Sequence, residues 1–231
     1  MNGLAATAIA PDREQQTYFR DVFAWMAVAL AVTGAVSAAI GHNQRTLNAL
    51  VTGGGGWLYL VLILIEFALV AGLAGLVQHM DTFTAAAVFL GYAALNGVTL
   101  SVIFALFTTK SIFATFLVTA GMFGGLALFG ATTSIDMTSW GSFLTMMLFG
   151  QLVGLIVNLF WLNQTLYWVT TATGVLLFSA LTAYDVQKLK RLETDDGGGA
   201  VQKEAIVGAL SLYLDFVNLF LYLLRLFGRR K

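Results

Sequence analysis

From Val22 to Phe227 the sequence is a succession of apolar runs, each about twenty residues long and split by short polar breaks. A helix rises 1.5 Å per residue, so a run of that length crosses the ~30 Å of hydrocarbon in a bilayer. Lipid offers no partner for backbone N–H and C=O groups, which forces such runs to satisfy themselves as helices. In chain order the spans are Val22–Gly41, Trp57–Val77, Thr84–Phe107, Ile112–Thr132, Trp140–Trp161, Leu166–Tyr184 and Ala205–Phe227. The pattern predicts an all-α, polytopic membrane protein with seven transmembrane helices. Six spans and a re-entrant last segment is the alternative, because Asp215 lies inside the seventh run.

Composition supports the membrane assignment. The 231 residues are 58% hydrophobic and 10% charged, against roughly 25% charged in a soluble domain. Residues 1–21 read as a polar tail, helical from Asp12, 22–227 as the membrane domain, and 228–231 as a short basic tail. Pro11, Asp12, Arg13, Glu14 and Arg20 precede the first apolar run, so no cleavable signal is expected. Zero net charge gives no reason to expect a nucleic-acid partner. With no cysteine, disulfides, thiolate metal sites and thiol catalysis are excluded. His42–Gly56 reads as a loop and Val186–Glu204 as the one charged loop. The glycines at 53–56 and 197–199 lack the Lys-Ser/Thr sequel of a phosphate loop and read as turns. Arg13, Arg20, Lys188, Lys190, Arg191 and Lys203 fall on one side. Arg45, Lys110, Arg225, Arg229, Arg230 and Lys231 fall on the other, so positive charge does not set the orientation.

Polar side chains inside the spans are few. The seventh carries Ser211, Asp215, Asn218, Tyr222 and Arg225 at spacings of three and four, which puts them along one face. That face cannot meet lipid and must turn inward. Thr182 and Asp185 share a face of the sixth, Glu66 lies in the second, Asn96, Thr99 and Ser101 in the third, and Gln151 and Asn158 in the fifth. Acids placed together in a low dielectric titrate as a coupled set. Such a set senses pH, and once deprotonated offers hard oxygens to calcium. Plainer roles stand beside these. Asp185 can cap the sixth helix or pair with Lys188 or Lys190, Asp215 can bond Asn218 or a tyrosine, and Glu66 can be a packing contact. Asn96 and Asn158 fit helix–helix hydrogen bonding. Tyr184-Asp185 with Asp215 superficially resembles intramembrane aspartyl proteases. Leu212-Tyr213-Leu214 before Asp215, and Pro11 as the single proline, depart from their pattern. No histidine in a span offers a base for serine hydrolysis. No catalytic residue, and no cofactor, is expected.

Gly174–Phe178 with Thr182–Lys188 (TAYDVQK) resembles the signature of the Bax inhibitor (transmembrane Bax-inhibitor-motif) family. The likeness extends to Ala94–Ser101, Ser111-Ile112, Gly154–Phe160 and Leu212–Phe220, covering nearly all of the chain past residue 20. Its short loops are similar to those of bacterial members. The resemblance implies a seven-helix bundle with the last helix central, in the bacterial cytoplasmic (inner) membrane. It implies a pH-sensitive calcium leak, with Asp185 and Asp215 as sensor, gate and transient calcium ligands. Glu66 matches a family acid along the ion path, where Asn218 is also expected. Asn96, Asn158, Thr182, Ser211 and Tyr222 are expected as polar packing support. Some members have an arginine late in the second helix that latches the first aspartate. Val77, Gln78 and His79 stand here instead, with His79 as the candidate substitute. The family view places the amino terminus and the loop between helices six and seven in the cytosol. Some bacterial relatives are described as partners that modulate a membrane-anchored AAA protease. That gives an alternative role as a regulatory protein, with residues 1–20 as the handle.

Overall fold

The computed structural model describes residues 10–52, 57–192 and 200–231. The start of the expected amino-terminal tail and the two glycine turns at 53–56 and 197–199 lie outside the described residues. Within them, regular structure is helical: α1 (Ala10–Gly41), α2 (Gln44–Thr52), α3 (Trp57–Leu76), α4 (Thr82–Leu100), α5 (Ile103–Leu106), α6 (Thr109–Thr132), α7 (Gly141–Trp161), α8 (Gln164–Leu192) and α9 (Ala200–Phe227). Six helices among the described residues are long and apolar enough to cross a membrane. The chain is an all-α polytopic membrane protein. The doubtful span is the second and not the last: the apolar part of α3, Trp57–Leu73, is the short one, whereas α9 runs unbroken past Asp215.

Three local expectations are corrected. The stretch read as a loop after Gly41 contains α2, which Asn43 starts by accepting from the N–H groups of Arg45 and Thr46 at 3.1 and 3.3 Å. Leu47 and Leu50, three apart, bury one face of it. The third span runs from Thr82 to Leu106, but its helix is interrupted near the end, where Ser101 turns back to bond Val98 O at 2.6 Å and separates α4 from α5. The sixth helix does not stop at Asp185 but continues to Leu192. Gln187 through Arg191 are good helix formers, and Lys190 and Arg191 lie in the last turn, where positive charge suits the helix dipole.

The chain divides into two units. One comprises 1–106 and 192–210, the other 107–191 and 211–231. In the first, α1 lies along α4. Thr33 donates to Ala93 O at 2.8 Å, and a Cβ on Gly97 would come within 2.8 Å of Thr33 O, so glycine permits that approach. In the second, Leu144 of α7, Leu177 and Phe178 of α8, and Leu219, Tyr222 and Leu223 of α9 form the core. Gly130 of α6 meets the Ala183 backbone of α8 with no room for a side chain, and a Cβ on Gly174 would touch the Tyr222 ring at 2.5 Å.

Candidate functional site

Helices α8 and α9 carry the two aspartates, both within the second unit. The polar stripe of α9 is turned away from lipid: Asp215 and Tyr222 are buried, and Ser211, Asn218 and Arg225 half-buried. Asp215 is 5% exposed, and its Oδ2 is enclosed without a hydrogen-bond partner among the described residues. Asn218 is not that partner, because its Nδ2 donates to Leu214 O of its own helix at 2.8 Å. Tyr222 is also committed elsewhere, accepting from Gln151 Nε2 at 2.7 Å while its ring stacks on Phe178. Burial acts on Asp215 first, and Asp185 acts on it electrostatically.

Asp185 sits inside α8, well before its end, so it does not cap the helix. Lys188 acts on it electrostatically, and Lys190 is directed to Ala131 O at 2.9 Å. Thr182, buried one turn earlier, returns its hydroxyl to Phe178 O at 2.7 Å. The turn after Asp185 grips the α6–α7 connection. Gln187 donates to Ile135 O and accepts from the Met137 N–H, both at 2.8 Å. Arg191 reaches Asp136 at 2.7 Å and also bonds the Thr138 hydroxyl. The Thr138 N–H, the Thr138 hydroxyl and Arg191 together hold the Asp136 carboxyl down to about 2.

Glu66 belongs to the first unit. Thr99 of α4 donates to its Oε1 at 2.7 Å, and the Asn96 side chain bonds it too. Asn96 thus supports an acid on a neighbouring helix. Asn158 does something else: its Oδ1 accepts from Asn163 N at 3.0 Å and staples the α7–α8 turn, where Leu162 adopts a left-handed φ of 40°. Val77, Gln78 and His79 form a 3-10 turn in which Val77 is buried and His79 exposed. Two glutamines escaped the sequence-based site, Gln187 and Gln151. Gln151 joins Tyr222, Thr170 O at 2.7 Å and Thr173 at 3.0 Å. A long amide in an apolar run was the signal at Gln151, whereas Gln187 stands among charged residues and offered none.

The arrangement places one carboxyl, Asp215, in an enclosed setting on α9, and a second, Asp185, on α8 of the same unit. Among the described residues no three His, Asp or Glu side chains gather as metal ligands.

Residues 15–231 match the family model described as "Bax1-I: Inhibitor of apoptosis-promoting Bax1". Similar proteins include the inner membrane protein YbhL of Escherichia coli, 42% identical over 229 residues and 96% of each chain. An uncharacterized protein of Borreliella burgdorferi is 39% identical over 93% of this chain and 92% of its own. An uncharacterized membrane protein of Streptococcus pyogenes is 39% identical over 72% of each.

Proposed function

The chain belongs to the Bax inhibitor family of membrane proteins, and we propose that it is a pH-sensitive calcium leak gated by protonation of Asp185 and Asp215. The observation that carries this reading is the buried Oδ2 of Asp215, which has no hydrogen-bond partner among the described residues. An enclosed polar atom left unbonded costs about 1–3 kcal/mol, so its energy depends steeply on whether a proton is present. With one proton the two carboxyls hold together; without it they repel in a low dielectric, and α8 and α9 repack. Deprotonated, the pair offers oxygens to a passing, largely hydrated calcium ion, which is cargo and not a resident ligand. Each unit adds a polar oxygen of its own for the ion, Glu66 in the first and Asn218 in the second. The bilayer is the bacterial inner membrane, the location in the name of the Escherichia coli relative. The amino terminus and the α8–α9 connection face the cytosol.

The test is calcium flux into proteoliposomes between about pH 5 and pH 8, with wild type and Asp215→Asn. Wild type should show a leak that changes with pH, and the variant a leak that does not. Equal, pH-independent leaks in both would end the channel reading. The regulatory alternative rests on the start of α1 at Ala10, ahead of the apolar stretch that begins at Thr17. Capture of a membrane-anchored AAA protease should then require residues 1–20 and survive loss of both aspartates.

A further inference from the structure

A cavity of about 430 Å³ opens at the end of the second unit where α7 stops, α8 starts and α9 ends. Arg225 and Arg230 both line it, and no carboxylate does. Neither arginine is in an ion pair among the described residues. Both are oriented by aromatic rings. The Arg225 guanidinium lies 5.4 Å from the Tyr222 ring centroid, and that of Arg230 5.9 Å from Tyr167, whose hydroxyl it also bonds at 3.1 Å. The four residues after α9 are not a loose basic tail. Thr108 N donates to Arg229 O at 3.1 Å and Arg229 N to Ser111 Oγ at 2.9 Å. A side chain on Gly228 would strike Leu224 O and the Phe107 ring, so the chain turns there only because glycine stands in it. This pinning delivers Arg230 to the cavity at a fixed place.

Asn158, Asn163 and Gln164 add amide groups to the wall. Asn158 and Asn163 each commit the side-chain oxygen to a backbone N–H, of Asn163 and Leu166 respectively, both at 3.0 Å, which leaves the amide NH2 ends as their remaining chemistry. Trp168 and Leu226 complete an apolar side. Trp161 and Leu162, 76% and 84% exposed at the same helix ends, mark the rim of the hydrocarbon, where tryptophan concentrates. Two guanidiniums beside amide donors match a phosphate, which takes paired N–H groups from arginine. An apolar wall at the bilayer rim adds room for the glycerol and first methylenes behind it.

We propose that this cavity binds a phosphate-bearing anion, supplied by the headgroup of an anionic membrane lipid. The test uses the full chain in uncharged detergent. Thermal unfolding is followed as phosphatidylglycerol, phosphatidylcholine or inorganic phosphate is titrated, and bound lipid phosphorus is measured after gel filtration. Phosphatidylglycerol should raise the Tm and stay bound, phosphatidylcholine much less. Arg230→Gln, which lies beyond α9 and leaves the helix intact, should weaken phosphatidylglycerol binding about tenfold, as loss of one charged hydrogen-bond donor implies. Arg225→Gln with Arg230→Gln should abolish it. Lys110→Gln, which removes a positive charge outside the cavity, should bind as wild type does. If inorganic phosphate alone gives the full wild-type shift and Arg230→Gln loses it, the anion site stands with soluble phosphate as its source. The proposal is overturned if the double variant binds phosphatidylglycerol like wild type, or if Lys110→Gln weakens it as much as Arg230→Gln.

Discussion

Glu66 in α3 accepts hydrogen bonds from Thr99 and Asn96 of α4, whereas Asp215 in α9 is buried with Oδ2 unpartnered among the described residues. In the sequence the two look alike, single acids in apolar runs. The difference comes from the helix each one meets. The α4 residues Asn96 and Thr99 stand three apart on one face and receive Glu66 as a settled polar contact. Across α8 and α9 the residues that could receive Asp215 have turned their donors elsewhere, Asn218 to Leu214 and Thr182 to Phe178. Glu66 has its bonds made, whereas Asp215 Oδ2 has none among the described residues.

The largest expected effect comes from moving the frame of one acid and not the other. Gly130→Ala sets a methyl against the Ala183 backbone, wedging α8 away from α6 while the bonds of Glu66 are untouched. Overpacking of this kind lowers stability by about 1–3 kcal/mol, read as a lower Tm in detergent. Next, the two acids should answer differently to leucine. Glu66→Leu discards a made hydrogen bond and should cost about 1 kcal/mol, whereas Asp215→Leu removes an unmade one and should leave the Tm unchanged or higher. Equal losses would erase the contrast. Thr99→Val, which removes the donor and keeps the shape, should destabilise by roughly 0.5–1.5 kcal/mol, and by less once Glu66 is already Leu, as a double-mutant cycle would measure.

Asp136 supplies the smallest effect. Its carboxyl is held to about 2 in the folded protein. Its contribution is therefore complete above the ordinary carboxylate value of about 4 and fades as pH falls toward 2. Asp136→Asn should flatten the stability profile in that acid window alone. Being exposed, the Arg191–Asp136 pair should weaken further in high salt.

Six of the seven expected spans were legible because lipid leaves the backbone no choice, and the second, Trp57–Leu73, is shorter than the run of apolar residues suggested. The inward face of α9 was legible from the spacing of Ser211, Asp215, Asn218, Tyr222 and Arg225. What hid was at the ends of elements. Lys188, Lys190 and Arg191 read as a charged loop, yet in α8 they extend the helix, with Lys190 reaching the last turn of α6 and Arg191 the α6–α7 connection. Charge alone does not separate a solvated loop from a helix end at the membrane surface. The short α2 carried its own signal in Asn43, Leu47 and Leu50, but the glycine run after it outweighed that pattern. The bonding of Asp215 could not be read at all. Which donors an acid meets depends on the rotation of two helices about their axes, a quantity that spacing within one helix leaves open.

The bracket formed by Gln187, holding Ile135 O and the Met137 N–H, makes the α6–α7 connection a passenger of α8. Ile135 is exposed at the surface, and the chain contains no cysteine. A lone thiol introduced there could carry a fluorophore, so that any displacement of the helix bearing Asp185 would be broadcast as a change in emission from a point outside the bilayer.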